Sequence, residues 1–321
     1  MTSSYYTIHE KPGFDADAYA EKIDRAIKAS DKGNIAKLIA DINNIQRQKV
    51  REPYRIRNGK DLVAELKRVL SGDTEKLVVA LMMTPLEYDF EQLKMSMEGT
   101  GTDENTLVEI ICSRTPDQLR ALAAEYDKKK HANGALVKAI ISDTSGEFKD
   151  LLVKLASGAK DAGHATDDAK SKDDAVRLFA DGHATFKGRA KDGSHFLRIL
   201  GTQNIFQLRK VFAEFEKISG QKIEEIIKRE FSGDEEKAYL VRATMNKQRY
   251  FAMQLKKSMK GAGTRDNDLI RGIVARSEID LNLIKEEYKE EYKGTTLEED
   301  IKGDTSGSYR DTLLHICAGN L

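Results

Sequence analysis

The sequence predicts an all-α protein built from four homologous repeats of about 70 residues, with five short helices in each. Three observations lead there. Apolar residues recur at helical spacing, with Leu107, Ile110 and Ile111 as one stripe, Leu119, Leu122 and Tyr126 as a second, and Leu269, Ile270, Ile273 and Val274 as a third. Sustained strand-type alternation is absent, and the few prolines and clustered glycines punctuate the chain into short helices joined by tight loops. Finally, a serine-glycine pair followed by an acid- and lysine-bearing helix start comes four times: SGDTEKL at 71, SGEFKDLL at 145, SGDEEKAYL at 232 and SGSYRDTLL at 306. The serines stand 74, 87 and 74 residues apart, so extra sequence lies between the second copy and the third.

In chain order, residues 1–13 read as an N-terminal tail and 14–84 as the first repeat, with a second marker, QRQKV, at 46. Residues 85–156 form the second repeat, where the marker is QLRAL at 118. The extra sequence, ASGAKDAGHATDDAKSK, is small and polar without an apolar stripe, and 157–172 reads as a linker. The third repeat spans 173–244, with QLRKV at 207, and the fourth 245–321, with DLNLI at 280.

Composition excludes several classes. The 53 basic and 53 acidic residues leave none of the basic excess that a nucleic-acid binder needs. Cys112 and Cys317 sit in apolar runs and read as core thiols of a reducing cytoplasm. The N-terminus has no apolar signal region, and LVVALMM at 77 is too short to span a bilayer, which points to a soluble, cytosolic chain. No GxSxG, GxxxxGK[ST] or HExxH occurs, and the six histidines show no metal spacing, so an enzyme is not expected.

The chemistry lies in two glycine loops, MEGTGTDE at 97–104 and MKGAGTRD at 259–266. A helix ending at the methionine leaves its last carbonyls without intrahelical partners, at the negative end of the helix dipole. Gly99, Gly101, Gly261 and Gly263 can turn the backbone so that further carbonyls face inward, making a cup for a hard, oxygen-preferring cation such as calcium. Thr102 and Asp103 then cap the next helix. An anionic ligand is supplied about forty residues downstream, by Asp143 in SDTSG and Asp304 in GDTSG. Each site reads as three carbonyls plus one bidentate carboxylate. A phosphate cradle, by contrast, places amides and usually a lysine where MEGTGTDE has acids.

The four-fold repeat with its linker, the two loops, and the segments SRTPDQLRALAAEY, ARSEIDLNLIKEEY and GDTSGSY resemble the annexin family over nearly the whole chain, from FDADAYAEKI at 14 onward. The resemblance implies a curved disc of four five-helix repeats, calcium loops on its convex face, and calcium-dependent binding to acidic phospholipids. Carried over, the ligands are the carbonyls of Met97, Gly99 and Gly101 with Asp143, and those of Met259, Gly261 and Gly263 with Asp304. The first repeat departs from the family pattern: AIKASDKGNIAKL lacks the paired glycines and Val69 stands at the carboxylate position, so no site is expected there. The third keeps Gly188 and Glu230 in a longer loop, and whether it makes a site is left open.

The expected mechanism is ion bridging. One negative charge facing a divalent ion binds it weakly, and a lipid phosphate or carboxylate completes the coordination shell and the charge balance, so ion and lipid strengthen each other. The rival reading is a helical-repeat scaffold for cytoskeletal proteins or sulfated glycans, using REPYRIRNGK at 51 and DKKKH at 127, and self-association on membranes is left open. Asp89, Glu109, Arg114, Arg271 and Arg276 read as buried ion pairs; the resemblance offers a polar channel as the alternative.

Overall fold

The computed structural model describes residues 5–98, 101–180, 183–184, 194–230, 242–243, 245–261 and 263–320. The first repeat contains α1 (Ala16–Lys28), α2 (Lys32–Ala40), α3 (Asn44–Asn58), α4 (Leu62–Val69) and α5 (Gly72–Met82). The second contains α6 (Pro85–Met97), α7 (Glu104–Ser113), α8 (Pro116–Lys130), α9 (Ala135–Asp143) and α10 (Gly146–Ala156). In the third the described helices are α11 (Asp168–Leu178), α12 (His195–Thr202), α13 (Ile205–Ser219) and α14 (Ile223–Glu230). The fourth has α15 (Lys247–Ser258), α16 (Asp266–Arg276), α17 (Leu281–Glu291), α18 (Leu297–Asp304) and α19 (Gly307–Ala318). The all-α expectation holds, with one small addition: β1 (Phe179–Ala180) and β2 (His183–Ala184) pair antiparallel.

Local chemistry explains the helix ends. Asp15, Asp31, Asp61 and Asp167 cap α1, α2, α4 and α11 by accepting a backbone N–H of the first turn. Asn43 with Gln46, Thr115 with Gln118, and Thr296 with Glu299 form reciprocal capping boxes at α3, α8 and α18. The cap on Asp167 also corrects the linker: residues 168–172 belong to α11, where Ser171, Asp174, Ala175 and Leu178 are the buried face. A stripe of so few apolar residues gives little periodicity to read in a sequence.

The chain divides into two compact units. One comprises residues 1–88 with 248–321, the other 89–247, so the first and fourth repeats share one core and the second and third another. Within the first unit α2 packs along α19 and α5 against α16, while Thr74 and Ser308 join by their hydroxyls at 3.0 Å. Within the second, α10 packs on α12. Gly201 permits that approach, since a Cβ there would sit 3.0 Å from Leu151 Cδ1. The predicted stripes are buried, apart from Val274, which is half-buried.

The N-terminal residues expected as a tail are pinned to the first unit. Thr7 and Ile8 donate their N–H groups to the Ser277 carbonyl at 2.8 and 3.0 Å, and Asn282 N–H donates to the Tyr5 carbonyl at 3.0 Å. His9 exchanges hydrogen bonds with Asn320 at 2.8 Å each way, and Lys11 does so with Gln46 at 3.0 and 2.9 Å.

Arg47, 2% exposed, joins the first repeat to the fourth. Its Nη1 lies 2.9 Å from Glu278 Oε1 and its Nε donates to the Ile39 carbonyl at 2.8 Å, while Glu278 accepts the Asn44 N–H. Burial pulls the Arg47 guanidinium below its ordinary value, and Glu278 opposes that shift. Removing the carboxylate strands a buried cation, so Glu278→Ala should destabilise the first unit by about 2 kcal/mol, below the range for fully buried pairs because Glu278 is partly exposed. Urea unfolding followed by circular dichroism measures this, and an unchanged midpoint would contradict it.

Candidate metal centre

In the second repeat α6 ends at Met97, and the chain returns so that Asp103 N–H donates to the Ser96 carbonyl at 2.8 Å. Gly101 adopts φ +101°, a region closed to most side chains. The predicted ligand Gly99 lies outside the described residues. Asp103 caps α7, accepting the Thr106 N–H at 3.2 Å and the Thr106 hydroxyl at 2.6 Å. Thr102 does not share that capping, contrary to the sequence reading: its hydroxyl donates to the Asp143 carbonyl at 3.2 Å and stands 3.5 Å from Asp143 Oδ2. Asp143 is the last residue of α9, and carbonyls of a helix's last turn lack intrahelical donors.

The fourth repeat builds the same device. Arg265 N–H donates to the Ser258 carbonyl at 2.8 Å, Gly261 and Gly263 adopt φ +111° and +93°, and the Thr264 hydroxyl donates to the Asp304 carbonyl at 3.0 Å. A Cβ on either glycine would meet nothing within 4 Å, so the backbone conformation alone calls for glycine there. Asp304 closes α18 as Asp143 closes α9. The threonine after each aspartate returns its hydroxyl to the helix, Thr144 to the Ile140 carbonyl at 2.5 Å and Thr305 to the Ile301 carbonyl at 2.6 Å.

This arrangement fits a hard cation. Among the described residues no hydrogen bond reaches the carbonyls of Met97, Gly101, Met259, Gly261 or Gly263, and each loop is clasped to a helix end bearing a carboxylate. Neutral oxygens with one carboxylate suit calcium better than softer metals. Among the described residues there is no cluster of three or more His, Cys, Asp or Glu side chains able to hold a metal, so a site here rests on backbone oxygen.

The first repeat differs in both halves of the device. Ser30 takes the turn with φ +55° and Asp31 N–H returns to the Ala26 carbonyl at 3.1 Å, a tighter closure. Val69 ends α4, the place of Asp143 and Asp304. The Lys32 ammonium, at the start of α2, reaches Ser71 Oγ at 3.3 Å, so a positive charge stands beside the downstream segment. In the third repeat Glu230 ends α14, but its side chain and Gly188 lie outside the described residues.

The remaining polar candidates are paired. Arg114 grips Asp89 with Nε and Nη2 at 2.6 and 2.7 Å, Arg276 holds Asp280 at 2.7 Å while stacking on Phe251, and Arg271 meets Asp268 at 3.0 Å. Burial pushes the Cys112 and Cys317 thiols up to about 12, which disfavours the thiolate in both.

The threonine clasps were hidden in the sequence, although the shared GxGT and DT spacing, 41 and 40 residues from hydroxyl to carbonyl, carries their signal. Thr102→Val and Thr264→Val remove the hydroxyl at nearly constant shape, and each should cost about 0.5–1 kcal/mol. Hydrogen exchange at the Asp103 and Arg265 amides should quicken in the respective variant. Unchanged exchange would mean that the hydroxyl does not hold the loop.

The family model described as Annexin matches the chain over residues 18–81, 88–155, 182–241 and 250–316. Annexin A5 of Rattus norvegicus is 42% identical over 317 residues, covering 98% of both chains. Among solved structures, annexin III aligns with TM-score 0.89 at 35% identity, covering 99% of each chain. The calcium-bound annexin (Sm)1 aligns with TM-score 0.83 at 28% identity, covering 97% of this chain and 92% of the other.

Proposed function

The chain belongs to the annexin family of calcium-dependent phospholipid-binding proteins, and on that premise we propose that it binds acidic phospholipid surfaces peripherally through calcium held by the loops of its second and fourth repeats. The observation that carries this reading is the duplicated device: a helix end, glycines at positive φ, and a threonine clasped to the carbonyl of an aspartate that closes a helix 40 or 41 residues on. Met97, Gly99 and Gly101 with Asp143 would hold one ion, and Met259, Gly261 and Gly263 with Asp304 the other. Gly188 and Glu230 stand as candidates for a third.

Bound calcium would supply a Lewis-acidic centre with coordination positions left over for an outside oxygen, because six to eight ligands are needed and the protein offers about five. The residues between the glycines, Thr100 and Ala262, are small. Among the described residues no helix is long and apolar enough to cross a membrane, in keeping with attachment at the surface. The domain boundaries read from sequence, 14–84, 85–156 and 245–321, remain part of this proposal, with the third repeat opening at α11 rather than at 173, as does a cytoplasmic location for the unbound chain.

Calorimetric titration should show higher calcium affinity with phosphatidylserine vesicles than without, and equal affinities would refute bridging. Asp143→Asn and Asp304→Asn should each raise the calcium midpoint of vesicle co-sedimentation. The double variant should bind hardly at all unless the third repeat also holds an ion, because the two contacts reinforce each other at high effective concentration. Val69→Glu should restore nothing, since its loop lacks the paired glycines. A folded double variant with the unaltered midpoint would return the loops to being turns.

A further inference from the structure

We propose that the lysines ending α8, Lys128 and Lys129 with Lys130 behind them, form a second, calcium-independent contact for the headgroups of the same acidic lipid surface, at the rim of the second-repeat loop. The inference rests on the calcium reading above and names what assists it.

Placement comes first. Lys130 Nζ lies 2.8 Å from Glu98 Oε1, and Glu98 directly follows Met97, so the end of α8 is fixed beside the loop. Successive helix residues are turned by about 100°, so the three consecutive ammoniums point to different sides of α8 and cannot all point back at Glu98.

The charges do not cancel locally. Glu98 meets Lys94 at 3.9 Å and Lys130 at 2.8 Å, while Glu125 meets Lys128 and Lys129 at 3.9 and 3.8 Å. Four ammoniums thus face two carboxylates. Asp127, whose carboxylate accepts the Ala135 N–H at 2.8 Å, adds a third acid and leaves one ammonium in excess. Lys128 and Lys129 are 78% and 52% exposed. Asp143 also lies in this neighbourhood, through its field on Tyr126, but in the calcium reading its charge is committed to the ion.

The fourth repeat shows why such a contact would be useful. At the position of Glu98 it carries Lys260, an exposed cation within the loop itself. The second repeat has an acid there, which would repel an anionic headgroup, and α8 brings its lysines to that acid. α17, the counterpart of α8, ends in Lys-Glu-Glu and carries no such cluster. Two loops of opposite local charge therefore each present a cation to the lipid, one from inside the loop and one from a neighbouring helix. Basic residues at a helix C-terminus also favour the dipole, but that needs no cluster beside a glycine loop.

The test uses the full chain, mixed phosphatidylserine–phosphatidylcholine vesicles and a fixed calcium concentration below saturation. Lys128→Gln with Lys129→Gln should lower vesicle affinity about tenfold at low ionic strength, with the difference shrinking as salt is raised. Lys128→Arg with Lys129→Arg should retain the affinity. Without vesicles the Gln variant should bind calcium at least as tightly as the unaltered chain, because positive charge has left the neighbourhood. Equal vesicle affinity for the Gln variant at every salt concentration would overturn the inference, and so would an equal loss in the Arg variant. If the unaltered chain failed to sediment with calcium at all, the calcium reading itself would fall, a result distinct from either.

Discussion

A hydroxyl donating to the last carbonyl of a helix is the contact on which the candidate sites depend. Thr102 clasps Asp143 and Thr264 clasps Asp304, at 3.2 and 3.0 Å. Each bond is modest in energy, about 1 kcal/mol, but it brings together two stretches of chain that the sequence keeps far apart. Without it, the loop and the carboxylate at the helix end would lose the direct bond that joins them. The acceptor is left over from helix termination, since the carbonyl is one that the helix cannot use. The glycines act on the same problem from the loop side, by adopting φ values that keep the loop short enough to reach.

The helices that carry these ends are held by burial shared between repeats. In one unit α2 lies along α19 and α5 against α16; in the other α10 lies on α12. A five-helix repeat of about 70 residues buries too little apolar surface to be independently robust, and pairing repeats supplies the rest. Polar groups inside these cores are matched closely: Arg47 to Glu278 in one unit, Arg114 to Asp89 in the other. A buried charge without its partner costs several kcal/mol, so these pairs fix which packing is allowed even where they add little net stability.

The repeats share a frame and differ in charge. The second carries Glu98, Asp103 and Glu104 around its loop, while the fourth carries Lys260 and Arg265 with Asp266. The first lacks the paired glycines and the carboxylate, and Lys32 brings an ammonium to Ser71, two residues past Val69. A resident cation there opposes the entry of another by simple repulsion. The same backbone plan thus yields two candidate ion sites of opposite local charge and one position with an ammonium nearby and no carboxylate at the helix end, by changes at a handful of side chains.

Periodicity made the helices legible, and the repeat made the loops legible, because both are written in residue spacing. The stripe at Leu107, Ile110 and Ile111 is buried as its 3.6-residue period requires, and the four SG segments each open the last helix of a repeat where that helix is described. Asp143, Asp304, Val69 and Glu230 could be aligned by sequence alone, and all four end the corresponding helix. Spacing says nothing, however, about which donor a threonine chooses. Thr102 read as a cap because capping is the local option, and it turned to Asp143 because folding placed a bare carbonyl within reach. The start of α11 at Asp168 was missed since its buried face contains serine and aspartate. The docking of residues 5–11, the pairing of first with fourth repeat, and the meeting of Lys130 with Glu98 are decided by contacts between residues remote in sequence. Such contacts leave no period behind them, and only the packed chain brings their partners together.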